Sequence, residues 1–187
     1  MKVKPLTAVF LFLGILLLGV NVSADDDVIE KMTTFGFKAG IWSPGTLYVN
    51  GMDFDSDMSY FVGGLLDYKL GPKFSGGLNF DIGSLSAYEE TSTLLMIGFL
   101  LKAWIINEDE TYIIRPGFGI SYGNLGGNES VDGSSHLILN GVAELVIPGE
   151  SMNWLIEIGI TGSVDGGNDD VEITYGPGFI IRGGLVF

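Results

Sequence analysis

The side chains that could support catalysis lie together where one strand-like segment begins. Ser134 and Ser135 precede His136, the single histidine of the chain, and Glu144 follows eight residues later. A serine, a histidine and an acid are the parts of an esterase triad, such as a lipid A-modifying enzyme would need. On one extended strand, however, eight residues separate His136 from Glu144, which is too far for a triad. Adjacent serines in a glycine-rich loop are typical of turns, so we predict no catalytic residues and keep the esterase as an alternative.

Two connections are rich in carboxylates, the groups that bind calcium and other hard cations. Asp53, Asp55 and Asp57 alternate in the first connection. This loop lacks the glycine that an EF-hand turn needs after its third acid. The acids of the last long connection are Asp165, Asp169, Asp170 and Glu172. We predict solvated loops with no metal and no cofactor, and weak divalent bridging to anionic lipopolysaccharide is the alternative.

Composition excludes several classes of protein. The chain has 187 residues, 47% of them hydrophobic, and a mean hydropathy of +0.39, yet its formal charge is −14. After the first two dozen residues no apolar run reaches the roughly 18 to 20 residues of a membrane-spanning helix. Nine basic against 23 acidic residues exclude nucleic acid as a partner, because phosphate binding requires a basic surface. The 29 glycines follow no period of three, and 12% aromatic residues argue against disorder.

The first segment has the three parts of a secretory signal peptide. Lys2 and Lys4 form a basic start, residues 6–20 form an apolar core, and small residues surround the expected cleavage site after Ala24. Removal of residues 1–24 takes away two positive charges, so the charge becomes −14 minus 2, or −16. We expect residues 25–34 to be a short periplasmic lead-in and residues 35–187 to form one domain. With no Cys, packing and pairing rather than disulfide bonds must stabilise this domain.

The rest of the chain repeats one pattern, about ten residues of alternating apolar and small or polar character followed by turn residues. This period of two predicts eight strands, whose connections are alternately short and long. The predicted strands are Phe35–Ser43, Met58–Lys69, Phe74–Gly83, Thr93–Ile106, Thr111–Gly123, His136–Ile147, Asn153–Val164 and Thr174–Phe187. Such a layout predicts an all-β fold, a closed antiparallel eight-stranded up-and-down transmembrane β-barrel.

The two faces of the strands distinguish a barrel in lipid from a soluble sandwich. On the seventh predicted strand one face carries Trp154, Ile156, Ile158, Ile160 and Gly162, and the other is mainly small or polar. In a sandwich the second faces would carry many solvated charges. Small residues instead fit the inside of a narrow barrel, and apolar faces fit lipid.

Aromatic residues near the strand ends predict two interfacial girdles. Those by the termini or short turns are Phe35, Phe37, Tyr68, Phe74, Trp104, Tyr112, Trp154 and Phe187, and those by the long loops are Tyr60, Tyr122 and Tyr175.

On these features the chain resembles the small OmpA/OmpX-type outer-membrane β-barrels of bacteria. It ends on an aromatic residue, Phe187, preceded in alternation by Leu185, Ile181 and Phe179. In that class such an ending resembles the signal for the barrel assembly machinery. The resemblance implies a multi-pass barrel in the bacterial outer membrane, with a periplasmic N-terminus after signal cleavage. Its partners would then be outer-membrane lipids and lipopolysaccharide.

The alternation also sends charged residues into the predicted barrel. They are Lys38, Asp67, Lys69, Asp81, Lys102, Arg115, Glu144, Glu157 and Arg182. Counted from the short turns, most would lie at one level, on the order of 10 Å above the periplasmic rim. We expect ion pairs there, because an unpaired charge in a narrow lumen is costly.

Neighbouring strands suggest which of these charges meet. The order of the strands allows four contacts, which are Arg115 with Glu144, Glu157 with Arg182, Arg182 with Lys38 across the closure, and Lys38 with Asp67. The network is interpreted as a plug of the lumen, and a gated path for ions or protons is the alternative.

The sequence therefore predicts a non-enzymatic outer-membrane barrel with a structural or surface-interaction role. The predicted long loops hold eleven Asp and Glu and no Lys or Arg, so binding to polyanions is disfavoured. A narrow pore or a barrel that transports small solutes or lipids is the first alternative. The sequence does not name an extracellular partner.

Overall fold

The computed structural model describes residues 32–87, 90–107, 109–127 and 133–187, and within these ranges the chain is built from β-strands. The strands are β1 (Thr33–Ser43), β2 (Thr46–Val49), β3 (Met52–Asp55), β4 (Ser59–Gly71), β5 (Phe74–Ala87), β6 (Glu90–Ala103), β7 (Ile105–Ile106), β8 (Ile113–Leu125), β9 (Ser134–Ile147), β10 (Asn153–Gly167), β11 (Ile173–Tyr175) and β12 (Gly178–Val186). None of the described residues lies in a helix long and apolar enough to cross a membrane. The predicted signal peptide, residues 1–24, lies outside the described ranges, as does most of the lead-in.

Eight long strands close into an antiparallel barrel. Their order around the wall is β6, β5, β4, β1, β12, β10, β9 and β8, and pairing of β6 with β8 completes the circle. Each strand therefore pairs with the long strands before and after it in the chain, and β1 pairs with β12. This arrangement confirms the predicted all-β, up-and-down, eight-stranded barrel.

Several strands extend further toward the long connections than the sequence pattern predicts. β5 and β6 continue to pair through Ser84↔Thr93 and Ser86↔Thr91, although the apolar alternation ends below these residues. Backbone pairing does not require apolar side chains, so the sheet extends beyond the residues whose apolar alternation predicts it. Hereafter the end of the barrel with the long connections is called the upper end, and the end with the short turns is the lower end.

A break in one strand lies opposite a proline. β6 pairs with β8 as far as Lys102↔Gly117, and β7 resumes the pairing at Ile105↔Ile114. Pro116 lies in the gap, and without an N–H it cannot donate a hydrogen bond to a neighbouring strand. The backbone N–H of Trp104 donates instead to the carbonyl oxygen of Lys73, at 2.7 Å.

The side chains alternate between the two faces of the barrel wall. On β10 the outward Trp154, Ile156, Ile158 and Ile160 are all exposed, whereas Leu155, Glu157 and Thr161 are buried. Trp104 and Tyr175, both expected in the interfacial girdles, are instead buried inside. Trp104, in the break between β6 and β7, has the parity of inward residues such as Lys102, and Tyr175 lies on β11 rather than on the barrel wall.

A small second sheet lies at the upper end, where the sequence pattern predicts only a loop. β2 and β3 form a hairpin, and β11 pairs with β2 to make three strands. Asn50 and Gly51, at φ of 50° and 77°, form the two-residue turn of the hairpin, for which Asn-Gly is a preferred pair. We call this sheet the cap. The predicted last strand, Thr174–Phe187, is therefore divided into β11 and β12 at Gly176 and Pro177.

Side chains of the cap fill the upper part of the barrel. Leu47, Ile173 and Tyr175 belong to one apolar cluster with inward residues of the barrel wall. The wall residues of this upper cluster are Trp42, Phe61, Leu85, Leu94, Met96, Leu125, Ile138 and Ile180. A separate lower cluster consists of Leu65, Trp104, Ile113, Val146, Leu155 and Val186.

Candidate functional site

Most of the charged residues predicted to face inward form a layer between the two apolar clusters. On β9, for example, Ile138 of the upper cluster and Val146 of the lower cluster lie on either side of Glu144. The layer consists of two groups, each with two cations and two carboxylates. The first group is Asp67, Lys102, Arg115 and Glu144, and the second is Lys38, Asp81, Glu157 and Arg182.

In the first group each cation contacts both carboxylates. Lys102 Nζ donates to Asp67 Oδ1 at 2.9 Å and to Glu144 Oε1 at 2.8 Å. Arg115 Nη1 lies 3.1 Å from Asp67 Oδ2, and its Nη2 lies 2.7 Å from Glu144 Oε2. All four side chains are at most 2% exposed. The guanidinium carbon of Arg115 also lies 5.4 Å from the centre of the Trp104 ring, so a cation–π contact joins this group to the lower cluster.

In the second group Glu157 is the central carboxylate. Lys38 Nζ donates to Glu157 Oε2 at 2.9 Å and to the amide oxygen of Asn79 at 2.8 Å. Arg182 contacts Glu157 through Nε, at 2.7 Å, and through Nη2. The Nη1 of Arg182 also donates to Asp81 Oδ1, at 2.7 Å.

The register of the sheet explains why these charges fit in a narrow barrel. Asp67 lies opposite Gly77, Lys102 opposite Gly117, and Arg182 opposite Gly40. Lys38 lies between two glycines, Gly63 on β4 and Gly184 on β12. A Cβ at Gly117 would come within 2.9 Å of the Lys102 side chain, so these positions cannot carry a larger residue without displacing the charged one. The glycines of the strands thus give the charged side chains their space.

Charge balance follows from the same arrangement. Each group contains two basic and two acidic side chains, so each is neutral by itself. Glu144 and Glu157 are cross-strand neighbours on β9 and β10, but each turns to its own pair of cations. A buried charge is tolerated when partners surround it in this way.

The structure forms only some of the ion pairs that the order of the strands predicts. Arg115 contacts Glu144, and Glu157 contacts Arg182. Lys38, in contrast, pairs with Glu157 rather than with Asp67. Lys38 is level with Gly63 on β4, whereas Asp67 is level with Thr34, four residues lower on β1. Counting from the strand ends fails here because the strands of a closed barrel are staggered against one another.

Lys69, the ninth residue of the predicted set, differs from the other eight. It is half-buried rather than buried, and its Nζ lies 5.0 Å from the centre of the Trp104 ring. It therefore lies beside the lower cluster.

The side chains of the candidate esterase residues contact different partners. His136 is buried, and its Nε2 lies 2.8 Å from the Ser134 hydroxyl oxygen, while the Ser135 hydroxyl lies 2.7 Å from the Tyr122 hydroxyl on the outer face. Glu144 contacts Lys102 and Arg115 instead of His136. The structure thus does not assemble these residues into a triad.

His136 packs beside the aromatic side chains of the upper cluster. Its ring centroid lies 6.0 Å from that of Tyr175, which in turn meets the Trp42 ring edge-on at 5.3 Å. Trp42 stacks on Phe61 at 4.7 Å. Burial raises the pKa of the Tyr175 phenol, so this side chain of the cap enters the upper cluster uncharged.

The acidic residues of the long connections lie around the cap. Asp53 and Asp55 belong to β3, and the backbone N–H of Glu172 donates to the Asn50 side chain at 3.0 Å. In the part of the chain that the structure describes, no three His, Asp or Glu side chains are placed to hold a metal ion. Asp165, Asp169 and Asp170 are exposed.

Two participants were missed by the sequence interpretation. Asn79 accepts a hydrogen bond from Lys38, and it lies two residues before Asp81 on the inward face of β5, so alternation alone could have identified it. The cap was missed although Asn50-Gly51, flanked by alternating residues, is a hairpin signal.

The residues proposed as an assembly signal lie along the outer surface of the last strand. Phe179 and Ile181 are exposed, and Leu185 and Phe187 are half-buried. The Phe187 ring stacks on Phe35 at 5.2 Å, which joins the end of the chain to the first barrel strand.

A closed antiparallel eight-stranded barrel with an apolar outer face and a buried layer of charged residues inside is an architecture typical of the small outer-membrane barrels. Among solved structures the chain is similar to the N-terminal β-barrel domain of Pseudomonas aeruginosa OprF. Sequence identity is 12% and the TM-score is 0.50, with 84% of this chain and 98% of that domain covered. This likeness confirms the predicted fold and the resemblance to such barrels.

The chain is also similar to Ail, the attachment invasion locus protein of Yersinia pestis. One structure of Ail matches with 12% identity and a TM-score of 0.42, covering 84% of this chain and all 100% of Ail. A second, in complex with the heparin analogue sucrose octasulfate, matches with 15% identity, a TM-score of 0.46 and the same 84% and 100% coverage. No protein-family model and no curated protein sequence matches the chain.

Proposed function

We propose that the protein is an integral bacterial outer-membrane barrel with a sealed lumen and a non-enzymatic, structural or surface-interaction role. The observation that carries this proposal is the charged layer, whose eight side chains are at most 8% exposed. Apolar side chains lie above and below this layer in the upper and lower clusters. Conduction requires a wet path, and the interior of an eight-stranded barrel is narrow enough for its own side chains to fill.

The outer face supports the location in a membrane. Large apolar side chains such as Phe37, Phe118 and Ile158 are more than half exposed, and they lie on different sides of the barrel. In water this surface would favour aggregation, whereas in lipid it is solvated. A closed sheet also satisfies its backbone groups within the wall, as a bilayer requires.

The proposed orientation puts the lower end in the periplasm and the cap outside the cell. Bacterial barrels have short periplasmic turns and longer external loops, and the chain has this asymmetry. During biogenesis the partner is the barrel assembly machinery, which would recognise the terminal alternation Phe179, Ile181, Leu185 and Phe187. In the membrane the partners are the lipids and lipopolysaccharide around the outer face.

The external surface is proposed to contact a partner that is not polyanionic. The connections at the upper end carry exposed acids and, in the sequence, no Lys or Arg. A surface of one sign disfavours partners of the same sign and speeds encounters with cations.

The membrane location is tested with the full chain refolded into detergent and vesicles. A transmembrane barrel needs detergent or lipid to remain soluble, and it migrates differently on a gel before and after heating. A chain that stays soluble and folded without either would overturn the location. Separation of cell envelopes by density then tests whether the protein fractionates with the outer membrane.

A further inference from the structure

His136, the single histidine of the chain, lies where the cap meets the inside of the barrel wall. It belongs to β9 and is 1% exposed. Its ring centroid lies 6.0 Å from that of Tyr175, the side chain by which β11 of the cap enters the upper cluster. A titratable group is therefore buried at the contact between the two sheets, and the proposed function assigns it no role.

Only one nitrogen of the His136 ring has a hydrogen-bond partner among the described residues. Nε2 lies 2.8 Å from the Ser134 hydroxyl oxygen, and a hydroxyl group can donate or accept there. The buried Nδ1 has no partner. A protonated ring would therefore leave an N–H and a positive charge buried without an acceptor, which costs more than one unpaired nitrogen of a neutral ring. The surroundings accommodate the neutral imidazole better than the imidazolium.

Two glycines give the ring its space and direct it toward the cap. His136 is level with Gly123 on β8 and with Gly166 on β10. A Cβ at Gly166 would overlap the Nδ1 of His136, so the ring packs directly against this glycine. β10 ends one residue later, and the connection that follows leads into β11 with Tyr175. The ring therefore packs at both ends of the connection between β10 and the cap.

The described residues place few titratable groups against the ring. From β10 the carboxylate of Asp165 attracts a positive charge on it, but this side chain is exposed. From β11 the ring faces the phenol of Tyr175, and on β9 itself it faces the Ser134 hydroxyl. β8 contributes a glycine, and the other side chains of the upper cluster do not titrate. Since ordinary carboxylates titrate near pH 4, His136 is the group that changes charge here between pH 5.0 and 7.5.

A charge on the ring would move the cap more readily than the wall. β9 is paired with β8 on one side and with β10 on the other. The strands of the cap are short, since β2 and β3 have four residues each and β11 has three. Elements held by few contacts open first, and separation of the cap would give the charged ring access to water.

We propose that His136 is a pH-sensitive switch that holds or releases the cap. While the ring is neutral, Tyr175 stays packed in the upper cluster and the cap fills the upper end of the barrel. When the ring binds a proton, the cap separates from the wall, and the upper cluster becomes accessible while the charged layer below it stays closed. This inference goes beyond the proposed function and does not depend on the membrane location, because the contacts lie within one chain.

The direction of the pH effect follows from proton linkage. In the open state water surrounds the ring, and histidine then has a pKa of about 6.5. The closed state favours the neutral ring, so the open state binds more protons and gains population as the pH falls below about 6.5. Each pH unit below that value increases opening by up to about tenfold. We therefore expect the opening equilibrium to rise on the order of tenfold between pH 7.5 and 5.0.

Hydrogen exchange of one amide reports separation of the cap from the wall. The backbone N–H of Tyr175 donates to the hydroxyl oxygen of Ser163 on β10 at 2.7 Å, so this bond breaks when the cap leaves. The chain from residue 25 onward is folded in detergent micelles, and exchange is followed by NMR and corrected for the intrinsic effect of pH. Protection of the Tyr175 amide should fall on the order of tenfold between pH 7.5 and 5.0, while amides of the β8–β9 ladder keep theirs. Unchanged protection of Tyr175, or an equal loss in the ladder, would overturn the proposal.

Two variants separate the histidine from the carboxylate beside it. His136→Leu removes the titratable ring and keeps a buried side chain of similar size, so protection of the Tyr175 amide should be the same at both pH values. Asp165→Asn removes the carboxylate that attracts a charge on the ring, so its response should be at least as large as that of the wild type. A response that persists in His136→Leu, or that disappears in Asp165→Asn, would show that His136 is not the switch.

Heat-dependent gel migration verifies that each variant is folded. If His136→Leu does not fold, His136→Gln replaces it, because glutamine keeps a hydrogen-bonding side chain that does not titrate. His136→Gln should also abolish the response. The titration of the ring gives an independent reading, since the single histidine gives one imidazole signal. Its midpoint should coincide with the loss of protection at Tyr175, and a ring that stays neutral through that loss would contradict the proposal.

Discussion

Lys102 and Arg115 lie on adjacent barrel strands and share both of their carboxylate partners, Asp67 and Glu144. Five N–O contacts of 2.7 to 3.1 Å join these side chains. Neither cation therefore has a carboxylate of its own. Loss of one cation leaves two buried carboxylates with a single positive charge, so the group should respond as a unit to substitution.

Replacement of Arg115 by Met should strongly destabilise the barrel. The substitution keeps an apolar stem but leaves Asp67 and Glu144 paired only with Lys102. We expect a loss of about 3–5 kcal/mol in the free energy of unfolding, typical when one partner of a buried ion pair is removed. Urea titration of the refolded protein in lipid vesicles measures this change.

The control for this substitution is Lys73→Met, which changes an exposed lysine on a short turn by the same chemistry. It should change the free energy of unfolding by only about 0.5 kcal/mol or less. Identical midpoints for Arg115→Met and Lys73→Met would show that the charged layer does not stabilise the barrel.

In the second group Glu157 should matter more than Asp81. Glu157 contacts both Lys38 and Arg182, whereas Asp81 contacts Arg182. Glu157→Gln should therefore cost more stability than Asp81→Asn, by about 1.5–3 kcal/mol, the contribution of a further charged hydrogen bond. The comparison requires only the two unfolding curves, and the reverse order would contradict the observed pairing.

The three tryptophans of the chain report the two faces of the barrel wall. Trp154 is 60% exposed on the outer face, while Trp42 and Trp104 are 0% and 6% exposed inside. Lipids with brominated acyl chains should quench the fluorescence of Trp154 and leave the other two almost unaffected. Variants that keep one tryptophan each, with Phe at the other two positions, separate the signals. Quenching of Trp42 equal to that of Trp154 would refute the inside position of Trp42.

The cap should loosen when Tyr175 is shortened. Tyr175 is 2% exposed, and it packs against Trp42 and His136 within the barrel. Tyr175→Ala should therefore make the acidic β3, with Asp53 and Asp55, more accessible to a protease that cleaves after acidic residues, while the barrel strands stay protected. Tyr48→Ala removes a more exposed tyrosine of the same sheet as a control. Equal cleavage of both variants would mean that Tyr175 does not anchor the cap.

Alternation in the sequence was sufficient to predict the barrel and the direction of its side chains. Lys38 and Glu157, for example, are assigned to the interior because each shares the parity of mainly small or polar residues on its strand. The closed sheet and the burial of these residues follow the same rule.

The partners of these charges could not be predicted in full from the same pattern. Parity assigns a face but not a height, because the stagger between strands is set by closure of the whole barrel. Lys38 therefore pairs with Glu157 instead of Asp67. The cap was missed for a different reason: β2 and β3 have only four residues each, too few for alternation to stand out from a loop.

Single-channel recording in planar lipid bilayers tests the sealed lumen most directly. The chain from residue 25 onward is inserted at low density, and insertion is verified by heat-dependent gel migration of the same preparation. The charged layer and the two apolar clusters predict an inserted wild-type protein with no resolved conductance steps. Discrete, reproducible openings of the wild-type barrel would contradict the sealed lumen and favour a narrow pore.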